Sequence, residues 1–314
     1  MKIKKLLPLV FAAISVSSFG GTHDLQTNLS EITGKIITDR GRSQFRESVM
    51  FKKMDRRGYS GSSQYIEGIG KIKSSYDKDD NNTDYDAKIK GFLMATNSTF
   101  LSNPDFMTGM SFGYIRSRAE FDDQDDSSQK IRTYGLNTYL AYNKENWLFI
   151  GRAGYDESKN ILKTTNISNI VYRTKNYSLG AEGGYFFELG EKSLLYPYLG
   201  VGWNQYTTKG HDGISTSNDR VGSGNVGLMY SKEMGDKFLF TGNAEWSYEF
   251  ADRKKFITDS GKIKALEVSR DTGMFSLGLG YYIDPDFLVN VKYQGYVNKN
   301  YYYDMIILSF IHNF

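Results

Sequence analysis

The chain has 314 residues, no cysteine and a formal charge of +3, from 39 basic and 36 acidic residues. This composition excludes disulfide and thiol chemistry, and so small an excess of positive charge gives no support for binding to nucleic acid. The 24 Tyr, 20 Phe and 32 Gly, against only 4 Pro, favour a sheet protein rich in aromatic side chains.

The first predicted element is a secretory signal peptide at residues 1–20. Lys2, Lys4 and Lys5 precede an apolar run at 6–16, which small residues follow at 17, 18, 20 and 21. The run is too short for a transmembrane helix, and no cysteine is available for a lipid anchor, so we expect cleavage near Gly20. Without the three lysines, 36 basic residues face 36 acidic ones, and the mature chain is formally neutral.

Residues 21–60 have the periodicity of a helix rather than a strand. Apolar side chains recur at helical spacing, with a second set after Gly41: Leu25, Leu29, Ile32, Ile36, Phe45, Val49 and Met50. The second half of this segment is rich in Arg and Lys. One interpretation is a hydrated surface or tail. The other is a helix inside a barrel lumen, with its cations paired to the inward carboxylates Glu182, Glu245 and Glu249.

Residues 61–314 alternate with a period of two, which only an extended strand produces. In 238–250, one set of positions is aromatic or small, while most of the other set is Thr, Asn, Glu or Ser. The alternation and the intervening turn residues predict twelve strands, at 64–75, 85–97, 106–118, 130–143, 147–155, 172–187, 194–206, 221–230, 238–250, 272–283, 287–297 and 301–314. Most are close to the length of a tilted transmembrane strand.

The predicted connections alternate between long and short. Long polar connections are expected at 77–84, 119–129, 156–171, 207–219 and 251–271, and tight ones at 101–105, 144–146, 188–193, 231–237 and 284–286. Long outer loops and short periplasmic turns are typical of outer-membrane barrels. The mean hydropathy of -0.49 is compatible with this class, because each strand has only one apolar face.

The alternation also predicts which side chains face the lumen. A charged side chain that faces lipid at mid-bilayer costs about 2 to 4 kcal/mol, which places Arg152, Glu245 and Lys292 inside, together with Glu182 and Glu249. The first strand is less regular, because one of its faces combines apolar and charged residues: Tyr65, Glu67, Ile69 and Lys71.

Three segments resemble the autotransporter β-domain, the translocator of type V secretion. Residues 139–149, leading to Gly154 and Tyr155, are similar to its fourth and fifth strands and their tight turn. Residues 195–200, Leu-Tyr-Pro-Tyr-Leu-Gly, look like its Leu-x-Pro opening of the seventh strand, and 308–314 are similar to its closing strand. The resemblance covers about residues 25–314.

The resemblance implies a pore threaded by a linker helix, which delivers an upstream passenger to the cell surface. We expect no large passenger in this chain, since only a few dozen residues separate the predicted cleavage site from the first strand. The linker also lacks the Asn-Asn pair at which some members cleave themselves. The resemblance further implies that barrel-assembly machinery binds one face of the closing strand, which holds Ile306, Leu308, Phe310, His312 and Phe314. His312 stands where the family commonly has Tyr, and the same residues also suit a lipid-facing aromatic belt.

The sequence offers little for catalysis, and we predict no catalytic residues, no cofactor and no metal site. The three histidines, His23, His211 and His312, are far apart. His211 and Asp212 invite comparison with outer-membrane proteases that activate water, but no spaced carboxylate motif accompanies them. The acidic loop at 77–82 begins like an EF-hand but has Asn82 where Gly is needed and Lys88 where the Glu should be, so we interpret it and the loop at 122–126 as hydrated.

The sequence therefore predicts an all-β protein: a twelve-stranded transmembrane antiparallel barrel at residues 61–314, with the helical segment 21–60 in its lumen. The predicted function is that of an autotransporter-type translocator unit in the outer membrane of a Gram-negative-type bacterium. Its expected partners are membrane lipid and the assembly machinery, with a passenger or surface ligand of unknown identity and no nucleic acid. The alternatives are a free-standing porin, a loop-based adhesin and a barrel hydrolase.

Overall fold

A computed structural model describes residues 22–23, 25–54, 62–76, 85–100, 102–121, 128–164, 167–190, 192–209, 217–250, 254–259, 262–267, 270–298 and 301–313. The predicted signal peptide, the pair His211 and Asp212, and Phe314 lie outside the described residues.

Twelve long strands form the wall of the molecule, numbered here in chain order. They are β1 (Ser62–Tyr76), β2 (Tyr85–Phe100), β3 (Asn103–Phe121), β4 (Ser128–Lys144), β5 (Trp147–Thr164), β6 (Ile167–Tyr185), β7 (Ser193–Lys209), β8 (Ser217–Met234), β9 (Phe238–Glu249), β10 (Asp271–Asp284), β11 (Phe287–Asn298) and β12 (Tyr301–Asn313).

The sheet closes on itself. Each strand pairs antiparallel with the next, and β12 pairs antiparallel with β1 from Tyr301↔Tyr76 to Asn313↔Ser63. Every wall strand therefore has two neighbours and no free edge, which satisfies backbone hydrogen bonds where water is absent. The prediction of a closed twelve-stranded antiparallel barrel is confirmed.

The two faces of the wall differ as the alternation predicts. In β10 and β11, Leu277, Leu279 and Val291 are exposed, whereas Ser276 and Lys292 on the opposite face are buried. The outer face carries large apolar side chains all round the barrel, including Phe92, Phe112, Leu140, Phe149, Leu179, Val201, Leu228, Trp246 and Phe310. Water does not suit such a surface, but the hydrocarbon region of a membrane does.

One helix is found among the described residues, α1 (Leu25–Met54, 30 residues), and it lies inside the barrel. At about 1.5 Å per residue it is roughly 45 Å long, enough to run the length of the lumen. Ile36, Ile37, Phe45 and Val49 are completely or almost completely buried, so the prediction of a lumen helix is confirmed. None of the helices among the described residues is both long enough and apolar enough to cross a membrane.

Several predicted connections differ from the structure. The expected long connection at 156–171 is wrong, because β5 continues to Thr164 and β6 begins at Ile167. The expected loop at 251–271 contains a hairpin of Lys254–Asp259 and Lys262–Glu267, and the strand Thr22–His23 pairs in parallel with its first arm. A further short strand, Phe187–Gly190, pairs with β7. Backbone pairing thus extends beyond the segments that the sequence predicts as strands.

Candidate functional site

The lumen is the candidate site, because charged side chains of α1 meet charged side chains of the wall there. Arg40 is fully buried, and its Nε and Nη2 donate to the two oxygens of Glu67 on β1 at 3.1 and 2.6 Å. Its Nη1 donates to Gln294 Oε1 on β11 at 2.9 Å, and Ser309 on β12 donates to Glu67 at 3.0 Å. This bidentate Arg–carboxylate contact is a strong and directional hydrogen-bonded ion pair.

A second cluster lies on the side of β6, β7 and β9. Arg42 Nη2 donates to Glu245 Oε1 at 2.6 Å, and Arg46 Nη2 lies 3.5 Å from Glu245 Oε2. Glu182 on β6 lies 3.9 Å from Arg42 Nη1 and 3.4 Å from Arg46 Nε. The Tyr198 hydroxyl donates to Glu245 at 2.7 Å, and the Arg46 guanidinium covers the Tyr198 ring at 4.2 Å from its centre. The two oxygens of Glu245 thus contact arginines from two successive turns of the helix.

In a third contact, the positions of the two charges are exchanged between helix and wall. Here the helix supplies the carboxylate, Glu47, and the wall supplies the cation, Lys292 on β11; both side chains are buried, and Lys292 Nζ donates to Glu47 Oε1. Ser43, one turn earlier, donates to the same oxygen at 2.9 Å. Buried ions of opposite sign compensate each other, whereas a single one left behind is costly.

Apolar contacts hold the other side of the helix against β3, β4 and β5. Phe45 stacks on Tyr139 with ring centres 5.1 Å apart and planes 16° from parallel. Glycines let the helix approach closely, since a Cβ on Gly113 would lie 2.8 Å from Ile37 Cγ2. On the helix itself, a Cβ on Gly41 would overlap the Tyr139 hydroxyl. This side of the lumen is therefore packed like a protein core.

The two ends of α1 are tied to opposite ends of the barrel. Near its start, Ser30 donates to Asn160 Oδ1 at 2.6 Å, close to the far end of the long β5–β6 hairpin. Near its end, Lys53 donates to Asn146 Oδ1 at 2.9 Å and to the Glu145 carbonyl, in the tight turn between β4 and β5. The helix thus begins at the end of the barrel that has long extensions and finishes at the end with short turns. Cations in a last helical turn also suit the helix dipole.

A polar cavity of about 60 Å³ remains beside the helix, next to β6–β9. It has room for a few water molecules. Arg152 and Glu249 line it together with Arg42 and Glu245. Among the described residues, no hydrogen-bond partner is found for Arg152 Nη1. The lumen is thus occupied by helix, paired charges and a small wet space.

The structure places the residues predicted for the lumen as follows. Glu182, Glu245 and Lys292 are buried and contact α1, whereas Arg152 and Glu249 line the cavity. Of the residues predicted to contact the assembly machinery, Ile306, Leu308, Phe310 and His312 are exposed on the outer face of β12, and Phe314 lies outside the described residues. The described residues include no group of three or more His, Cys, Asp or Glu that would suit a metal ion.

Sequence reasoning missed several partners of the helix. Glu67 and Gln294 were not predicted to contact it, and Glu47 of the helix was not predicted to pair with Lys292. In the sequence, Glu67 shares an irregular strand face with Tyr65 and Ile69. A carboxylate among apolar residues on one strand face indicates a buried cationic partner.

The comparisons with known proteins agree with this geometry. The autotransporter beta-domain family matches residues 66–294. The translocator domain of autotransporter NalP from Neisseria meningitidis is similar in structure, with a TM-score of 0.65, 13% identity, and coverage of 91% of this chain and 96% of that one. The transport unit of the autotransporter AIDA-I from Escherichia coli has a TM-score of 0.65 and 16% identity, with coverage of 83% of this chain and 93% of that one. The beta domain of the Bordetella autotransporter Brka has a TM-score of 0.58 and 13% identity, with coverage of 81% of this chain and 100% of that one. No curated protein matches the sequence.

Proposed function

Because the chain belongs to the autotransporter β-domain family and is an outer-membrane translocator unit, we propose that it displays its N-terminal segment on the outer side of the membrane and then closes its lumen with α1. The proposed division is a signal peptide at 1–20, a lumen segment at 21–60 and a barrel at 61–314. The proposed location is the outer membrane of a Gram-negative-type bacterium, and the proposed role is transport or display without catalysis.

The direction of α1 in the lumen is the observation that carries this proposal. Contacts of Ser30 with β5 and of Lys53 with the β4–β5 turn give the helix one orientation. Short turns belong on the periplasmic side of such barrels. The residues that precede α1 then emerge outside, and the chain returns to the periplasmic side before β1 begins.

The charge pairing supports the second half of the proposal, which is closure. Arg40, Arg42 and Arg46 are held by carboxylates on β1, β6 and β9. A helix that had only passed through the pore would need no such fixed partners. The proposed external partners are membrane lipid and, through the outer face of β12, the barrel-assembly machinery.

Single-cysteine labelling tests the direction of α1, and because the chain has no cysteine, each introduced thiol is the only one that can be labelled. Thr22→Cys lies before α1, Lys163→Cys lies at the exposed end of β5, and Asp236→Cys lies in the exposed β8–β9 turn. In intact cells a membrane-impermeant maleimide should label positions 22 and 163, and position 236 only after permeabilisation. Labelling of 163 without 22 would show that the helix does not deliver its N-terminus outside.

Conductance tests the closure. Deleting residues 22–58 should raise single-channel current sharply in planar bilayers, because the helix and its ion pairs would leave the lumen. An unchanged current from a folded barrel would defeat the proposal that α1 closes the pore, and would favour the porin alternative.

A further inference from the structure

A row of cations crosses six neighbouring strands on the outer face of the barrel, near the end with the long extensions. One side chain on each of β2 to β7 contributes to this cation row: Lys90, Arg116, Arg132, Lys159, Arg173 and Lys209. All six are exposed.

The members of the cation row are directly opposite one another in the sheet. Lys90 pairs with Arg116 and Arg116 with Arg132. The register continues through three further pairs: Arg132↔Lys159, Lys159↔Arg173 and Arg173↔Lys209. A second tier of cations lies farther from the barrel centre on β2, β3 and β4, through Lys88↔Arg118 and Arg118↔Lys130. Like charges directly opposite each other destabilise a sheet, so these seven contacts call for a compensating anion.

Compensation within the described residues is small. Glu157 pairs with Arg173 at 2.7 Å, and Glu120 pairs with Arg118 at 3.2 Å in a contact whose two side chains are more than 60% exposed. Arg116 donates to the Tyr114 hydroxyl, which is neutral. No ion pair to Lys90, Arg132, Lys159 or Lys209 is found among the described residues.

The cation row begins where the lipid-facing surface ends. On β2, β3 and β4 the next outward residue towards the barrel centre is aromatic: Phe92, Tyr114 and Tyr134. One step of two residues is about 7 Å along a strand. Aromatic belts mark the boundary between hydrocarbon and headgroups, so the row lies at headgroup level.

The opposite wall lacks this arrangement. In the described ladders of β8 with β9, β9 with β10, β10 with β11, and β11 with β12, no cation faces another cation. Exposed residues towards the same end there include Trp246, Asp271, Val297 and Tyr302. Among the described ladders, the pairs of directly facing cations therefore lie on one side of the barrel.

We propose that the cation row binds the phosphate groups of anionic lipids in the outer leaflet that surrounds this end of the barrel. The proposal rests on the membrane orientation given above. Five strand spacings of about 4.8 Å make the row roughly 24 Å long, long enough for several headgroups side by side. Arginine binds phosphate through two parallel N–H donors, and three of the six cations are arginines.

The test compares two triple variants of the full chain that lose the same charge. Arg116→Gln, Arg132→Gln and Lys159→Gln remove the centre of the row. Lys144→Gln, Lys232→Gln and Lys237→Gln remove three exposed lysines near the short-turn end, as the matched control. Native mass spectrometry of the refolded proteins counts bound diphosphorylated lipid A across a lipid titration. Position 22 labelling of each variant checks the orientation separately.

The row variant should bind the phosphorylated glycolipid roughly 100-fold more weakly, about fivefold for each lost cation near a charged surface. The control should bind it like the parent. Equal binding by both variants, or equal loss in both, would overturn the lipid proposal while leaving the translocator function intact. Failure of the labelling in the parent would instead overturn the orientation.

A second arm does not depend on the variants. The unmodified chain should bind diphosphorylated lipid A more tightly than the same lipid without its phosphates, and free inorganic phosphate should not compete at equal concentration. Equal affinity for the lipid with and without its phosphates would refute the proposal. Tighter binding of a soluble polyanion such as heparin than of the lipid would do the same, because it would assign the row to a different partner.

Discussion

Replacing Glu245 by Gln is expected to loosen α1 in the lumen. Its two oxygens contact Arg42 at 2.6 Å and Arg46 at 3.5 Å, and it accepts the Tyr198 hydroxyl at 2.7 Å. The amide keeps the size of the side chain and one acceptor. It removes the negative charge that compensates two buried guanidinium groups.

The size of the effect follows from burial. Breaking a buried ion pair by removing one partner costs about 3 to 5 kcal/mol. Glu182 still contacts both arginines and a wet cavity lies beside Arg42, so the lower limit applies. A loss of about 3 kcal/mol raises the fraction of time that the helix is out of place roughly 100-fold.

Single-channel recording measures this fraction as the frequency and duration of large openings. Glu120→Gln is the matched control, because it also breaks an Arg–Glu contact, but one in which the two side chains are 61% and 64% exposed. Exposed pairs contribute about 0 to 1 kcal/mol, so its openings should match the parent.

The double variant Arg42→Gln with Glu245→Gln should open less often than the sum of the two single effects predicts, since it leaves fewer uncompensated charges. Unchanged openings in a folded Glu245→Gln barrel would refute this reasoning. They would show that apolar packing alone holds α1.

Four other substitutions probe the rest of the lumen. Gly41→Ala should lower the melting temperature, because its methyl group overlaps the Tyr139 hydroxyl and overpacking costs about 1 to 3 kcal/mol; a melting curve like the parent's would contradict the close approach. Phe45→Ala should cost about 3 to 5 kcal/mol in denaturant unfolding through loss of a buried ring stacked on Tyr139; a loss below 1 kcal/mol would rule out a packed contact. Lys292→Met should destabilise the barrel in the same assay, and Glu47→Met in addition should restore much of the loss; a further loss in the double variant would count against the pair.

The strands of the wall could be predicted from the sequence because a membrane requires apolar side chains on the outer face of each strand. Leu277 and Leu279 face lipid while Ser276 faces the lumen, and a period of two records that difference directly. The number of strands followed from counting such segments. The inward position of Lys292 followed from the cost of placing a charge in hydrocarbon.

The inner face was less predictable, because the lumen is not uniformly polar. Ile69, Leu93 and Ile115 are buried on the inner face against α1, so their strands carry apolar residues on both sides and the alternation fades. The far end of β5 was missed for the opposite reason. Ser158 and Asn160 continue the strand beyond the apolar belt, where both faces are polar and the period of two leaves no trace.

The partners of α1 also matter for the order of folding. Arg42 lies 203 residues from Glu245, and Lys292 lies 245 residues from Glu47. Pairings so distant in sequence form late, since the entropy of a very long loop must be overcome first. The full set of ion pairs exists only when β1, β6, β9 and β11 surround the same helix. Sealing of the seam between the first and last strands and seating of the helix should therefore occur as one cooperative step, with a half-assembled cylinder unable to retain its plug.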